Sequence, residues 1–334
     1  MALVAELSNR WSAIDPHEFA NLGMDLGAVG SFGRIQQISD DPRWALRIVS
    51  VTENGRLVAA VPIFLGRGDR WTDQLHSPEA WGGPPPPPLD ECAFIGGRQD
   101  VRAGVHCVNR PDVIEAARDM CAEMPELIGR QLHFSYYDTA QRHLAEQIFG
   151  SITWQAQFDE YAFPAAVIHG APADLPKRTR QLLRQDQRRI AEAGISVETS
   201  SWSDHDGHAA ELIARQNRHK GLEDHAELVE YRMELWDECE DVSVHVACDQ
   251  DGLAAVTMLV HRDELEVYEI GLPQPDTAYR LELYLALGYH APLTLARAKG
   301  LTRIRMGMES GQAKTHRGAV AIPRFCGFAT PFPR

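Results

Sequence analysis

The sequence has few cysteines and no long apolar run, and each shortage excludes a class of protein. Its six cysteines are scattered singly through 334 residues, with no Cys-x-x-Cys pair, so neither a disulfide scaffold nor a cysteine-rich zinc site is expected. No apolar stretch is long enough to cross a bilayer, and residues 1–6 lack the basic start of a secretory signal. We therefore expect a cytoplasmic protein without a membrane span.

Basic residues are outnumbered, with 33 Lys and Arg against 47 Asp and Glu and a net charge of −14. An acidic surface repels phosphate, so uniform binding along a nucleic acid is not expected, although a local basic patch is compatible with this charge. The length suits two domains, and the 44% hydrophobic content is that of a globular protein.

Several catalytic and metal-binding motifs are also absent. The sequence contains no Ser or Cys nucleophile elbow, no phosphate-binding P-loop and no Gly-rich dinucleotide fingerprint, which disfavours hydrolases, kinases and dehydrogenases. The histidines are not spaced as the ligands of a known metal motif, so no metal is expected. The histidines considered were His205, His208, His219 and His225.

Two segments of the chain resemble each other. Residues 44–65 contain two apolar stretches around Asn54-Gly55, and residues 242–260 contain two around Asp251-Gly252. Asn-Gly and Asp-Gly favour tight hairpin turns, and each hairpin follows a helical stretch. The repetition predicts a duplicated α/β (α+β) unit, with domains at 1–170 and 171–334, although a chance match of two hairpins is the alternative.

A basic stripe opens the predicted second domain. Its members follow one another at i, i+3, i+7 and i+11, which puts them on one face of a helix that ends at Gly194. They are Lys177, Arg180, Arg184 and Arg188. This face predicts contact with an anionic substrate, or else a solvated face paired with carboxylates.

The last third of the sequence gives a clear order of elements. A strand at 265–271 precedes a helix at 278–299 that Pro292 is expected to kink, because proline lacks a backbone N–H. Gly300 ends this helix, a short strand follows at 301–306, and a polar loop spans 307–318.

This order, together with Lys314-Thr315-His316-Arg317-Gly318 and the helix opening at Leu175-Pro176-Lys177, resembles the Fem-type peptidyltransferases and the related peptidoglycan-biosynthesis GNAT proteins. The resemblance covers about residues 175–328, and the first half shares only the hairpin and the general layout. It implies two tandem GNAT-like domains, each a mixed, mostly antiparallel sheet flanked by helices. It also implies an acyltransferase that joins an aminoacyl group from aminoacyl-tRNA to an amine.

The resemblance implies that Lys314 lies near the reacting carbonyl. Attack by an amine builds negative charge on the carbonyl oxygen, and a fixed ammonium stabilises that charge. Glu269, Tyr268 and Glu309 are candidate general bases because of their positions at strand ends. His316 and Arg317 are candidate anion contacts. Each of these residues also has a structural or surface role as its alternative.

The donor is predicted from the segment after the 265–271 strand. A coenzyme A-dependent GNAT protein binds pyrophosphate there with backbone N–H groups, but residues 271–277 of this chain include Pro273 and Pro275, which lack them. We therefore expect aminoacyl-tRNA as donor, no cofactor, and an amine of a small molecule or a cell-wall or natural-product precursor as acceptor. The basic stripe is the candidate contact for the 3′ end of tRNA. An acyl-CoA-dependent N-acetyltransferase and a non-catalytic GNAT-fold binding protein are the alternatives.

Overall fold

The protein forms two compact units in a computed structural model that describes residues 3–22, 26–68, 79, 83, 85–97, 102–205, 207–248 and 253–329. The first unit comprises Met1–Phe158 with Pro323–Arg334, and the second comprises Asp159–Ile322. The sequence predicted a division at residue 170. The division lies instead within the strand Thr153–Pro164, so the chain passes from the first unit to the second without a linker.

The first unit contains a mixed sheet with the order β1-β2-β3-β4-β6-β13-β7, in which β5 also pairs with β3. Its strands are β1 Leu3–Ser8, β2 Trp44–Glu53, β3 Arg56–Gly66, β4 Cys92–Ile95, β5 His106–Cys107, β6 Gln131–Tyr137, the first part of β7 Thr153–Pro164 and the last part of β13 Val320–Ala329. Its helices are α1 Pro16–Asn21, α2 Phe32–Ser39, α3 Pro111–Ala122 and α4 Thr139–Phe149. The pair β4 and β6 is parallel, and β2 and β3 form the predicted hairpin.

The second unit continues from β7 with the order β7-β12-β11-β10-β9-β8. Its further strands are β8 Ser196–Ser201, β9 Asp241–Cys248, β10 Leu253–His261, β11 Glu264–Gly271 and β12 Arg303–Arg305. Its helices are α5 Ala165–His169, α6 Lys177–Glu192, α7 His208–His219, α8 Ala226–Asp237, α9 Arg280–Leu285, α10 Ala291–Lys299 and α11 Gly311–His316. Only β11 and β12 pair in parallel here, so the prediction of mixed, mostly antiparallel sheets flanked by helices is confirmed.

Turn chemistry explains the hairpins. Asn54 and Gly55 both have positive φ, of 52° and 79°, as a tight turn between twisted strands requires. The second hairpin, β9 and β10, pairs as predicted, while its turn at 249–252 lies outside the described residues.

The long helix predicted at 278–299 is interrupted by a π-helical turn, Ala286–His290, between α9 and α10. Pro292 explains the interruption, because it has no N–H to donate to the carbonyl one turn earlier. The predicted polar loop at 307–318 also differs, since Gly311–His316 forms the short helix α11. The residue expected to be catalytic, Lys314, therefore lies on a helix.

Candidate active site

A cleft opens in the second unit where two parallel strands separate. β11 and β12 pair only through Glu264 with Arg303, Leu265 with Ile304 and Glu266 with Arg305. β12 then ends, while β11 continues to Gly271, and a cleft of about 650 Å³ lies between the diverging segments. Its lining includes Gln216, Asn217, Lys220, Val267, Tyr268, Glu269, Ile270, Arg280, Tyr284, Gly288, Met306, Gly307, Glu309 and Lys314. All four predicted catalytic residues are in this set.

A β-bulge shapes one wall of the cleft. Thr257 of β10 pairs with Glu269, but the next residue of β10, Met258, pairs with Val267, so Tyr268 is an extra residue in β11. The buried Thr257 hydroxyl accepts a hydrogen bond from the Glu269 N–H at 3.2 Å and so satisfies a backbone donor at the bulge. Because a bulge redirects side chains, consecutive residues of β11 contribute to one cleft.

Lys314 supplies a buried cation to the opposite wall. Its Nζ donates hydrogen bonds to the carbonyl oxygens of Met306 at 2.5 Å and Gly307 at 3.2 Å, and lies 5.7 Å from the centre of the Tyr161 ring. Only 5% of the residue is exposed. Burial lowers the pKa of Lys314 to about 8, and the nearby carboxylates of Glu309 and Glu160 oppose that shift. The group is therefore charged at neutral pH and close to losing its proton.

Helix α11 holds Lys314 in place through its contacts with neighbouring elements. Gly311 lies so close to Tyr161 that a Cβ there would be 2.1 Å from the tyrosine oxygen. At the other end of the helix, Arg317 forms two hydrogen bonds to Asp186 of α6, at 2.6 and 3.0 Å. Thr179 of α6 donates to the backbone oxygen of His316 at 3.2 Å. The buried face of α6 therefore braces the helix that carries the lysine.

Glu269 faces the cleft from β11 with an ion-pair network behind it. Arg232 of α8 donates to both oxygens of Glu269 at 3.2 Å and to both oxygens of Asp224 at 2.8 and 2.9 Å. Burial raises the pKa of Glu269, and the Arg232 charge opposes that rise. A buried carboxyl whose pKa is raised is a good proton acceptor near neutral pH, since its basicity is closer to that of the groups it must deprotonate.

The other two candidate bases have different surroundings. The Tyr268 ring packs edge-on against Trp236, with 5.5 Å between ring centres. Glu309 lies at the rim, where 68% of its side chain is exposed, and accepts a hydrogen bond from Lys220 at 2.7 Å. Of the predicted bases, Glu269 combines burial, fixed geometry and access to the cleft.

The predicted substrate-binding residues do not line this cleft. Lys177, Arg184 and Arg188 are exposed on α6, while Arg180 is half-buried and donates to the oxygen of Ala173 at 3.4 Å. In the described part of the chain, the first three make no ion pair.

Arg317 and His316 lie between α6 and α11 rather than in the cleft. Only 12% of the Arg317 side chain is exposed, and its guanidinium lies 4.6 Å from the centre of the Tyr289 ring while it pairs with Asp186. His316 Nδ1 lies 3.5 Å from a guanidinium nitrogen of Arg178. The buried carboxylate of Asp186 already neutralises the Arg317 guanidinium, and the anion-contact role of Arg317 stays a prediction.

Residues of the cleft that the sequence did not reveal come from α7 and from the start of α9. Gln216 and Asn217 lie on α7 and Lys220 directly follows it, so the three are spaced at i, i+1 and i+4, a spacing typical of one helical face. Arg280 donates to the Pro273 oxygen at 2.9 Å and lies 3.5 Å from the Gln216 side-chain oxygen. Nothing in the sequence relates these residues to Lys314, because they are brought together only by the fold.

Comparison with known proteins places the fold. The sequence matches no described protein family and no curated protein. FemX is similar in structure with a TM-score of 0.63 over 96% of each chain, at 9% sequence identity. L-PGS from Bacillus licheniformis gives a TM-score of 0.54 at 9% identity, over 96% of this chain and 93% of its own.

A tandem GNAT protein from the clavulanic acid biosynthesis pathway is also similar, with a TM-score of 0.51 over the whole of both chains at 13% identity. Identities this low inform on the fold, and function must be argued from the site. The Fem-like resemblance predicted from the sequence is confirmed at that level. The chain has a tandem GNAT-like fold.

Proposed function

We propose that the protein is an acyltransferase that forms an amide bond in the cleft between β11 and β12. The observation that carries the proposal is the buried ammonium of Lys314 on one wall of a cleft whose other wall presents the Glu269 carboxylate. Amide formation needs both groups, one to stabilise a developing oxyanion and one to accept a proton.

Lys314 suits the oxyanion role because of its hydrogen bonds. An ammonium has three N–H donors, and two of them are directed at the carbonyl oxygens of Met306 and Gly307. These bonds fix the nitrogen and leave one donor for a third acceptor. Because only 5% of Lys314 is exposed, its ammonium interacts with a developing oxyanion more strongly than it would in bulk solvent.

We assign the donor to the aminoacyl-tRNA class. The segment between β11 and α9 contains two prolines, and the guanidinium of Arg280, the first residue of α9, already donates to the Pro273 oxygen. That segment offers few backbone N–H groups to a pyrophosphate. The exposed Lys177, Arg184 and Arg188 offer an extended cationic face that suits a phosphate backbone outside the cleft.

The acceptor in this proposal is an aliphatic amine, free or on a small-molecule, cell-wall or natural-product precursor. Its nitrogen attacks the acyl carbonyl carbon, a C–N bond forms, and the ester bond to the donor breaks. Before the attack, Glu269 accepts one proton from the ammonium form of the acceptor, and a second proton passes from the attacking nitrogen to the departing oxygen. Lys314 stabilises the oxyanion between these steps.

The test supplies the protein with a pool of charged tRNAs and a panel of amines, and searches for amide products by mass spectrometry. A parallel reaction contains acetyl-CoA, and both are repeated with Lys314→Met. Products that require charged tRNA and disappear in the variant support the proposal. Products from acetyl-CoA alone would reassign the donor.

Absence of product from either donor, with ligand-dependent thermal stabilisation retained in Lys314→Met, would reject catalysis in favour of a binding protein. Lys299→Ala is the matched control, because Lys299 is an exposed lysine of the same unit that pairs with Asp241 and does not line the cleft. We expect this control to react like the unaltered protein.

A further inference from the structure

Behind the cleft, one guanidinium serves two carboxylates. Arg232 uses Nη1 and Nη2 for Asp224, and Nε and Nη2 for Glu269, so four of its five N–H donors are occupied by these two groups. With one cation and two ionised carboxylates, the network has one net negative charge. The group on which this negative charge lies determines what the cleft can bind.

The distances indicate that the net negative charge lies on Glu269, the member of the network that lines the cleft. Arg232 is 2.8 and 2.9 Å from the oxygens of Asp224 but 3.1 and 3.2 Å from those of Glu269. Asp224 also accepts hydrogen bonds from the Asn217 side chain at 2.8 Å and from the His225 N–H at 3.1 Å. Shorter and more numerous bonds stabilise ionised Asp224 more than ionised Glu269. Arg232 is thus neutralised chiefly by Asp224.

The exposed fractions of the two carboxylates lead to the same conclusion. The Asp224 side chain is 5% exposed and Glu269 is 17% exposed, and of the two only Glu269 lines the cleft. The other charged groups of the cleft that holds Glu269 are Lys220, directly after α7, Arg280 at the start of α9, and, on the opposite wall, Lys314 and Glu309. Lys220 is already engaged by Glu309 at the rim.

We infer that Asp224 and Arg232 are positioning residues that hold Glu269 as an ionised proton acceptor for the ammonium group of the acceptor substrate. The inference rests on the proposed function. It specifies that the acceptor enters as a cation, the form that aliphatic amines adopt at neutral pH. Glu269 takes one proton from nitrogen to give the neutral nucleophile and later releases it to solvent.

The two positioning residues act on Glu269 in opposite directions. Arg232→Gln removes the cation and leaves two carboxylates, so the pKa of Glu269 should rise. Asp224→Asn removes an anion and makes Glu269 the only carboxylate paired with Arg232, so the pKa of Glu269 should fall. Lys299→Ala, at the exposed lysine that pairs with Asp241 and does not line the cleft, leaves the network intact, and the pKa of Glu269 should stay at its unaltered value.

The experiment titrates the Glu269 carboxyl carbon by NMR in protein labelled with ¹³C-glutamate, the signal being assigned by its loss in Glu269→Gln. Opposite shifts in the two variants, with Lys299→Ala unmoved, support the inference. Shifts of the same sign, or none, overturn it. If Arg232→Gln fails to fold, Arg232→Lys replaces it, with a smaller rise because the ammonium keeps the charge and loses the paired bonds.

This titration needs no substrate, so its outcome is independent of whether the proposed reaction occurs. Amide products with unmoved titrations would reject the network and leave the proposed function intact. Opposite shifts with no product from any donor would reject the function and leave the network intact. Where product forms, the acid limb of kcat/KM should move with the Glu269 titration in each variant.

Discussion

In the described part of the chain, parallel strands separate at two places, and the cleft described above lies at one of them. In the first unit, β4 and β6 pair through Cys92 with Gln131, Ala93 with Leu132 and Phe94 with His133, and in the second unit β11 and β12 pair over an equally short stretch. The backbone arrangement is the same. The side chains that follow it differ.

Beyond β4, the space is filled by polar contacts within the first unit. The Tyr137 hydroxyl donates to the Ile95 oxygen at 2.8 Å, and the Gln141 side chain accepts from the Val105 N–H at 2.8 Å. Gly96, with φ of 75°, lies so close that a Cβ would be 2.6 Å from the Tyr137 oxygen. Residues 98–101 lie outside the described part of this region.

Beyond β11, the corresponding space holds charged groups. Lys314 and Glu269 face it, and a bulge and a π-helical turn shape its walls. In this fold, a functional site can therefore form at each pair of parallel strands. Side chains then either complete a core there or leave a charged cavity.

The largest expected effect comes from removing the cation of the open cleft. Lys314→Met keeps an unbranched side chain and loses the ammonium, so turnover should fall by about two to three powers of ten while the fold is retained. Steady-state kinetics and thermal unfolding of the variant check both parts. Full turnover in this variant would show that the Lys314 cation has no chemical role, so it would no longer distinguish the cleft beyond β11 from the region beyond β4.

The next effect lies in the filled region. Gln141→Ala leaves the buried N–H of Val105 without its partner, which should lower the free energy of unfolding by about 1–3 kcal/mol. Transfer activity should not change. Urea unfolding measures the loss, with Gln147→Ala on the exposed face of α4 as control. A lost activity with unchanged stability would instead indicate a site in the first unit.

The pH dependence of Lys314 gives a third test. Its pKa is about 8, so the ammonium is lost as pH rises through that value, and turnover should then fall about tenfold per pH unit. Burial lowers this pKa from its ordinary value of 10.5, so between about 8 and 10.5 the unfolded chain binds more protons. The contribution of Lys314 to stability should therefore rise over the range in which activity falls.

Comparison with Lys314→Met isolates this contribution, because the variant lacks the titrating group. Unfolding free energies of the two proteins across this pH range give the difference directly. Parallel declines in activity and in the lysine-dependent stability would contradict the assignment, since they would indicate unfolding rather than loss of a proton.

The smallest effect is expected for Tyr137→Phe. One hydrogen bond to Ile95 is lost while the ring and its packing remain, so the free energy of unfolding should fall by about 1 kcal/mol. Turnover should be unaffected. Chemical denaturation detects the difference, and an altered transfer rate would show that the filled region communicates with the reaction.

The sequence predicted elements where local chemistry is decisive. The Asn54-Gly55 turn joins the two strands predicted around it, β2 and β3. The four candidate catalytic residues could be proposed because they follow strand ends or lie in a glycine-flanked segment. Their gathering in one cleft follows from the pairing of β11 with β12, which joins distant parts of the chain.

Other features depend on contacts that no local pattern reveals. Arg232 lies on α8 and Glu269 on β11, and nothing in either segment indicates that they meet. Arg317 is recognisable as a cation, but its burial against Asp186 depends on how α6 packs on α11. The division inside β7 could not be predicted because an uninterrupted strand has no linker composition.

The extra residue Tyr268 gives β11 a constraint on its length. Beyond it, Glu269, Ile270 and Gly271 pair with Thr257, Val256 and Ala255, so deleting Tyr268 would restore regular pairing and leave these three residues opposite the same partners. Such a deletion would remove the Tyr268 ring from the cleft, together with the bulge that lets consecutive residues of β11 line it. Homologous chains that keep this chemistry should therefore keep the extra residue in this strand, even where residue types other than Glu269 vary.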